Sequence, residues 1–217
     1  MRKALIPLIL LLAGGCTSYA TVEPLRTTID DAFIVEPQVT WTRIQRLGPS
    51  DPNQIWTIDG VRLNALLFYP GIADNEPLVR QKDSQEKAPV FRKDLSSEEI
   101  MELFEATLTR STQSTLTETH NLRPVRFGGV PGFRFEMTFT MKDEVPRKAT
   151  IAGAVRDDRL YLIVYQAPRL YYFDKYAGIV EDIIASVQFV GGPVPPPRAS
   201  ILRQPDVGQI LVEVVAR

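Results

Sequence analysis

The chain has 217 residues, 44% of them hydrophobic and 24% charged, with a net charge of −1. That length allows one domain with extra segments or two small ones, and the near-neutral balance gives no reason to expect a nucleic-acid partner. A single cysteine, Cys16, and a single histidine, His120, exclude an intramolecular disulfide, a cysteine zinc site, a CxxC redox pair and paired-histidine metal motifs.

The N-terminus, MRKALIPLILLLAGGC, has a basic start at Arg2-Lys3, an apolar stretch from Ala4 to Ala13 and then small residues. That is the three-part build of a secretory signal. The apolar stretch is about half of the ~20 residues a membrane-spanning helix needs. The segment Leu12-Ala13-Gly14-Gly15-Cys16 resembles the lipobox of bacterial lipoproteins. The resemblance implies cleavage before Cys16, a diacylglycerol on its thiol and further acylation of the new amine. Two or more acyl chains give a stable membrane anchor where one is marginal. Loss of residues 1–15 removes Arg2 and Lys3 and no acid, leaving a net charge of −3. Thr17, where retention in the inner membrane of Gram-negative cells favours Asp, resembles the outer-membrane sorting pattern. These residues predict a signal peptide over 1–15 and a lipidated protein facing the periplasm.

Residues 16–38 are weakly periodic and read as a lipidated tether, with order near Phe33–Val35. The stretch 38–47 alternates as a strand, and GPSDPN, 48–53, is a turn cluster. In 54–70, Asp59-Gly60 between two β-rich runs predicts a tight hairpin. Residues 70–94 read as a mobile surface loop. SSEEIMELFEATLTR, 96–110, predicts a helix: Ser96 and Glu99 make a capping box, and Ile100, Leu103, Phe104, Thr107 and Leu108 form one apolar stripe. Glu98, Glu99 and Glu102 suit the positive end of the helix dipole.

In 122–142, Gly128-Gly129 and Pro131-Gly132 make a turn. A long strand follows, with Phe133, Phe135, Met137, Phe139 and Met141 on one face and Arg134, Glu136, Thr138 and Thr140 on the other. Residues 147–168 read as two strands joined at Asp157-Asp158. Residues 170–189 predict a helix whose buried stripe is Tyr172, Tyr176, Ile179, Ile183 and Val187. The α+β domain spans 39–190, and 191–217 is a Pro-rich linker followed by a β-prone tail that suits an added edge strand or a partner. Tight turns between successive strands favour an antiparallel sheet with helices packed on it.

This order, with a VRFGGVPGFRFEMTF-like glycine turn into a long strand and a closing amphipathic helix, resembles the Mog1/PsbP-like fold over roughly residues 40–190. That superfamily includes a GTPase-binding protein and a photosystem accessory subunit. The resemblance implies binding or assembly, and it offers no catalytic motif to carry over.

Candidate chemistry is sparse. A hydrolase would need His120 as base to a Ser or Thr, oriented by Glu118 or Asp157, and there is no GxSxG elbow. Asp74, Glu76, Asp143, Glu144, Asp157 and Asp158 are oxygen ligands without EF-hand spacing and read as turn acids. GGVPG is neither phosphate-binding glycine motif. Arg123, Arg126 and Arg134 read as solvated strand arginines paired with acids such as Glu136. The preferred patch is the aromatic cluster Tyr161, Tyr165, Tyr171, Tyr172 and Phe173 with Arg169, which would rim a groove for an apolar ligand or peptide. Nothing implies a cofactor or a metal. The sequence predicts a lipid-anchored, non-catalytic binding or assembly module with an envelope protein partner. Its alternatives are a carrier of an apolar ligand and a Ser/Thr-His hydrolase.

Overall fold

The computed structural model describes residues 17–46, 54–79, 88–112 and 116–191. The signal, Cys16, most of the Pro-rich linker and the C-terminal tail lie outside the described residues. In chain order the elements are β1 (Thr17–Val22), β2 (Thr27–Ile29), β3 (Phe33–Val35), β4 (Trp41–Arg46), β5 (Gln54–Thr57), β6 (Ala65–Ala73), α1 (Ser97–Thr112), β7 (Thr117–Phe127), β8 (Val130–Thr140), β9 (Pro146–Arg156), β10 (Arg159–Pro168), α2 (Tyr172–Ala185) and β11 (Gln188–Phe189). Eight strands form one sheet in the order β1-β4-β5-β6-β10-β9-β8-β7, and β11-β3-β2 form a second, small sheet. All strand pairs are antiparallel.

The large sheet is covered on both faces. Against α1 it turns Phe133, Phe135, Met137, Phe139, Leu160 and Leu162, together with Ile100, Leu103 and Phe104 from the helix. Against α2 and the small sheet it turns Trp41, Trp56, Phe68, Ala152, Ile163 and Tyr165. Alternation in β8 therefore reads directly as inward and outward faces, while β9 and β10 are buried almost continuously because both of their faces are roofed. The helix α1 begins as its capping box requires. The Ser96 amide donates to Glu99 Oε2 at 2.7 Å, and the Glu99 amide donates to Ser96 Oγ at 3.2 Å.

Several local expectations are corrected. The segment read as a tether contributes β1, β2 and β3, and Val22, Ile29, Phe33 and Val35 are core residues. Its short apolar runs look weak alone and gain order only through long-range pairing. The hairpin at Asp59-Gly60 is not tight: a loop from Ile58 to Asn64 separates β5 from β6. Fully buried Asn64 organises it, its Oδ1 accepting the Ile58 amide at 2.7 Å. Of the segment 70–94, residues 70–73 belong to β6, buried Leu78 and Phe91 and a bridge between Pro77 and Val90 anchor the other described parts, and residues 80–87 lie outside the described residues. Strand β7 starts at Thr117, earlier than read. Gly128 (φ 59°) and Gly129 (φ 87°) form the two-residue hairpin turn, and Pro131-Gly132 already belong to β8. In α2 the buried stripe is Phe173, Tyr176, Val180, Ile183 and Ile184, rotated from the predicted one. The turn at Asp157-Asp158 (φ 50° and 61°) lies where it was expected.

Two glycines set how closely β8, β9 and β10 approach. A Cβ on Gly153 would lie 2.3 Å from the Tyr161 carbonyl oxygen, and one on Gly132 2.4 Å from the Gly153 oxygen. Gly153→Ala is therefore expected to destabilise the domain by about 1–3 kcal/mol. Gly178, exposed in α2, has nothing within 4 Å of a built Cβ. Gly178→Ala should stabilise by about 1 kcal/mol. Denaturant unfolding of the two variants measures both signs.

Candidate functional site

One end of the sheet carries three loops, residues 58–64, 141–145 and 169–171, tied together by polar contacts. Buried Arg147 donates from Nη1 to the Arg62 carbonyl at 2.8 Å and from Nη2 to Asp143 at 2.6 Å. The latter contact is the first cause holding the Asp143 carboxyl below its ordinary value. The Arg169 amide donates to the Pro146 carbonyl at 2.9 Å. Asp59 receives the Tyr176 hydroxyl at 2.6 Å and the Lys175 ammonium at 3.0 Å. The Tyr176 hydrogen bond is the main cause that lowers the Asp59 pKa from its ordinary 3.8, with Lys175 adding to it against the opposing effect of burial. Lys175 is correspondingly held in its charged form, and burial raises the Tyr176 phenol.

At the centre of this end lies a backbone feature that the sequence conceals. Tyr171 has φ 71° and ψ −59°, and the Tyr172 amide donates to the Leu170 carbonyl at 2.9 Å. That is the classic-type γ-turn, rare and strained for any residue with a Cβ. The turn projects two large side chains outward: Leu170 is 87% exposed and Tyr171 64%. Val61 and Val145, from the neighbouring loops, are exposed as well. The Tyr171 and Tyr172 rings meet edge to face at 5.1 Å, with Lys175 Nζ 5.6 and 5.8 Å from their centroids. Beneath, fully buried Tyr165 brings its hydroxyl to the Tyr172 and Phe173 carbonyls at 3.0 and 3.1 Å. Burial pushes that phenol far above its ordinary pKa of 10, so it is a fixed donor that seats the start of α2.

The expected aromatic patch is thus divided. Arg169, Tyr171 and Tyr172 stand at the tip. Tyr165 and Phe173 pack together in the core, with centroids 5.2 Å apart and their rings inclined by 32°. Tyr161 packs on Phe33 and Phe189, toward the other end of β10. These rings fill the interior and do not rim a groove. Leu170, Val61, Val145 and Asp59 escaped sequence reading because the loops that carry them meet only through tertiary structure. Tyr171 was named in the aromatic patch, but its positive φ had no signal, since nothing in Leu-Tyr-Tyr announces one.

The remaining candidates fall elsewhere. His120 sits on β7 with Nε2 3.5 Å from Glu136, a carboxylate that also takes Lys148 at 3.1 Å and Asn121 at 3.1 Å. Burial works to raise the Glu136 pKa, and Lys148 and Asn121 outweigh it, leaving the carboxyl below its ordinary 4.5. The carboxylate at His120 is therefore neither Glu118 nor Asp157, and it is engaged in an ionic network. Arg134 pairs in two-pronged fashion with Glu181 of α2 and not with Glu136. Arg123, Arg134, Asn121, Leu122 and Glu136 line an open depression of about 410 Å³. Arg126 donates to the Gly129 carbonyl at 2.8 Å. Asp157 and Asp158 are engaged by Arg156 and Lys93, and Asp74 accepts the Lys93 amide. Glu76 Oε2 accepts the Ala73 amide, and Glu144, at φ 57°, shapes the turn before β9. Among the described residues no group of three or more His, Cys, Asp or Glu is placed to hold a metal ion.

No family model matches the chain, and no curated protein matches it. Solved structures do. Cyanobacterial PsbP (CyanoP) from Synechocystis sp. PCC 6803 is 13% identical, with 82% of this chain and 95% of that one covered and a TM-score of 0.54. This chain has a Mog1/PsbP-like α+β fold. The Saccharomyces cerevisiae Ran-binding protein Mog1p aligns over 81% of this chain and 97% of that one at 10% identity and a TM-score of 0.41. A mutant of protein Mog1 aligns over 80% and 96% at 10% identity and 0.40. The likeness to CyanoP concerns the fold alone. It accords with the two-faced antiparallel sheet and its two helices, as the resemblance in sequence implied.

Two outcomes test the tip. Tyr171→Gly removes the strained Cβ and is expected to raise unfolding stability by about 1–2 kcal/mol. Tyr176→Phe removes a hydrogen bond to a charged group and should cost about 1–2 kcal/mol near pH 7. Because the Asp59 pKa is lowered in the folded state, this contribution is present above pH 3.8 and fades as pH falls through the folded value. The native and Tyr176→Phe unfolding curves should therefore converge in acid.

Proposed function

We propose that this chain is a lipid-anchored protein of the bacterial cell envelope that acts as a non-catalytic binding or assembly module. The tip around Leu170 and Tyr171 is its contact surface for an envelope protein. The observation that carries this reading is the strained, solvent-facing γ-turn. Stability alone favours glycine at residue 171, and exposure alone favours a polar side chain at residue 170. Strain that persists beside exposed apolar groups is a mark of functional surfaces.

The anchor rests on the LAGGC segment and on Cys16 as the point of lipid attachment, with the protein held at the outer membrane and facing the periplasm. Strand β1 begins at Thr17, so an acylated Cys16 holds the folded domain close to the bilayer and not on a long tether. Val22 pairs with Trp41 near the tip, and Thr17 pairs with Arg46 five residues farther along. That is roughly 17 Å at about 3.3 Å per residue. Anchor and tip therefore lie toward different ends of the sheet, which supports a tip that reaches away from the membrane.

Cys16→Ser should abolish lipid labelling and move the protein out of the membrane fraction. Retention of the variant in membranes after normal signal cleavage would overturn the anchor. For the contact surface, Leu170→Glu combined with Tyr171→Gly should reduce co-purification of the native partner from solubilised envelopes at least tenfold. The unfolding midpoint should not fall. Undiminished co-purification contradicts the assigned surface.

A further inference from the structure

Edge strand β7 breaks its alternation in the middle. His120 lies opposite Glu136 and Arg123 opposite Arg134, so Asn121 and Leu122 together stand against the single residue Phe135. This is a bulge, with Asn121 at φ 59°. A regular strand would send Asn121, Leu122 and Arg123 to alternating faces. Here all three line one open depression of about 410 Å³, whose other walls are Arg134 and Glu136.

The bulge also sets two like charges against each other. Arg123 and Arg134 are directly opposed, which disfavours an antiparallel pair unless each charge finds a counter-charge. Arg134 has one. Both of its Nη atoms donate to Glu181 of α2, and its side chain is only 13% exposed. Glu136, in the adjoining row, is committed as well. Its Oε2 takes Asn121 Nδ2 and Lys148 Nζ, each at 3.1 Å, and lies 3.5 Å from His120 Nε2. The next acid along β7, Glu118, stands opposite Thr138, two rows or about 13 Å from the arginine pair. Arg123 is exposed, and no ion pair or hydrogen bond joins its side chain to another described residue.

The donors left over share one chemistry. The Arg123 guanidinium is a planar fork of N–H groups that matches a carboxylate or a phosphate. The Asn121 amide keeps a second N–H beyond the one given to Glu136. Asn121 is held by Glu136 and Arg134 by Glu181, so part of the ordering cost of binding is already met. Leu122 adds an apolar wall. The volume falls within the range of small-molecule sites, about 300–1,000 Å³, and exceeds what a bare ion fills.

We propose that this depression binds the oxyanion head of a small organic acid, a carboxylate or a phosphate monoester, with Arg123 as the pairing cation, Asn121 as a second donor and Leu122 against the apolar body. This inference goes beyond the proposed contact at Leu170–Tyr171 and stands independently of it. The full chain in detergent micelles is titrated with butyrate, with butyl phosphate and with inorganic phosphate at constant ionic strength. NMR follows the amides of residues 121–123 and the Arg123 Nε–H, and the amides of β9 and β10 report that each variant is folded. Saturable shifts with butyrate or butyl phosphate are expected, with a dissociation constant on the order of 1 mM, and the tighter of the two identifies the head group. Arg123→Gln should weaken binding at least about tenfold. Asn121→Gly suits the positive φ and removes only the donor, and should weaken it about threefold. Arg126→Gln should leave binding unchanged, because Arg126 donates to the Gly129 carbonyl and does not line the depression. Absence of saturation with butyrate and butyl phosphate overturns the proposal, as does equal binding by Arg123→Gln and the native chain. Equal weakening by Arg123→Gln and Arg126→Gln overturns it too. Inorganic phosphate binding as tightly as the organic anions marks an adventitious ion only and likewise overturns it.

Discussion

The fold depends on covering both faces of β9 and β10. A strand roofed on one side can alternate, but these two are buried almost throughout, so two separate roofs must be supplied by chain segments far apart in sequence. α1 provides one. α2 and the small sheet provide the other, and that sheet recruits residues 27–35 to meet Gln188 and Phe189. Glycine at 132 and 153 lets the central strands approach without a Cβ in the way. Once the two cores are filled, every large aromatic on β10 is committed to packing. The chemistry available for recognition is pushed to the loops at the strand ends.

That division explains which parts of the molecule were legible in sequence. α1 was readable to its cap because Ser96 and Glu99 act locally. β8 was readable because alternation over 133–139 has a period of two and one face needs water. The Asp157-Asp158 turn was readable because only two residues join two long apolar runs. The first three strands were not, since three-residue strands such as Thr27–Ile29 exist only by virtue of their neighbours. The buried stripe of α2 was misread for a related reason. Its Tyr-rich start offers aromatic side chains on several faces, and the Tyr165 hydroxyl below fixes which of them turns inward.

The candidate site was half legible. Density of aromatics near residue 170 pointed to the right region, but sequence could not tell Tyr165 and Phe173, which are core, from Tyr171, which is not. What distinguishes them is backbone geometry at one residue. A γ-turn places Leu170 and Tyr171 outside the packed helix, while Arg147, Asp59 and Asn64 hold the flanking loops and the Arg169 amide ties the start of the turn to Pro146. Under the proposed function, support around a strained, exposed apolar turn would pre-organise the contact and lower the ordering cost of binding. A Mog1/PsbP-like fold offers the scaffold for such a surface and says nothing about the partner.

The proposed function has the tip, and not the helix faces, meet the partner. Site-specific photocrosslinking in living cells tests it most directly, with a benzophenone side chain placed at residue 170 and, as a control, at residue 178 on the exposed face of α2. One discrete adduct with an envelope protein is expected from residue 170 and none from residue 178. Equal adducts from both positions, or none from residue 170, would contradict it.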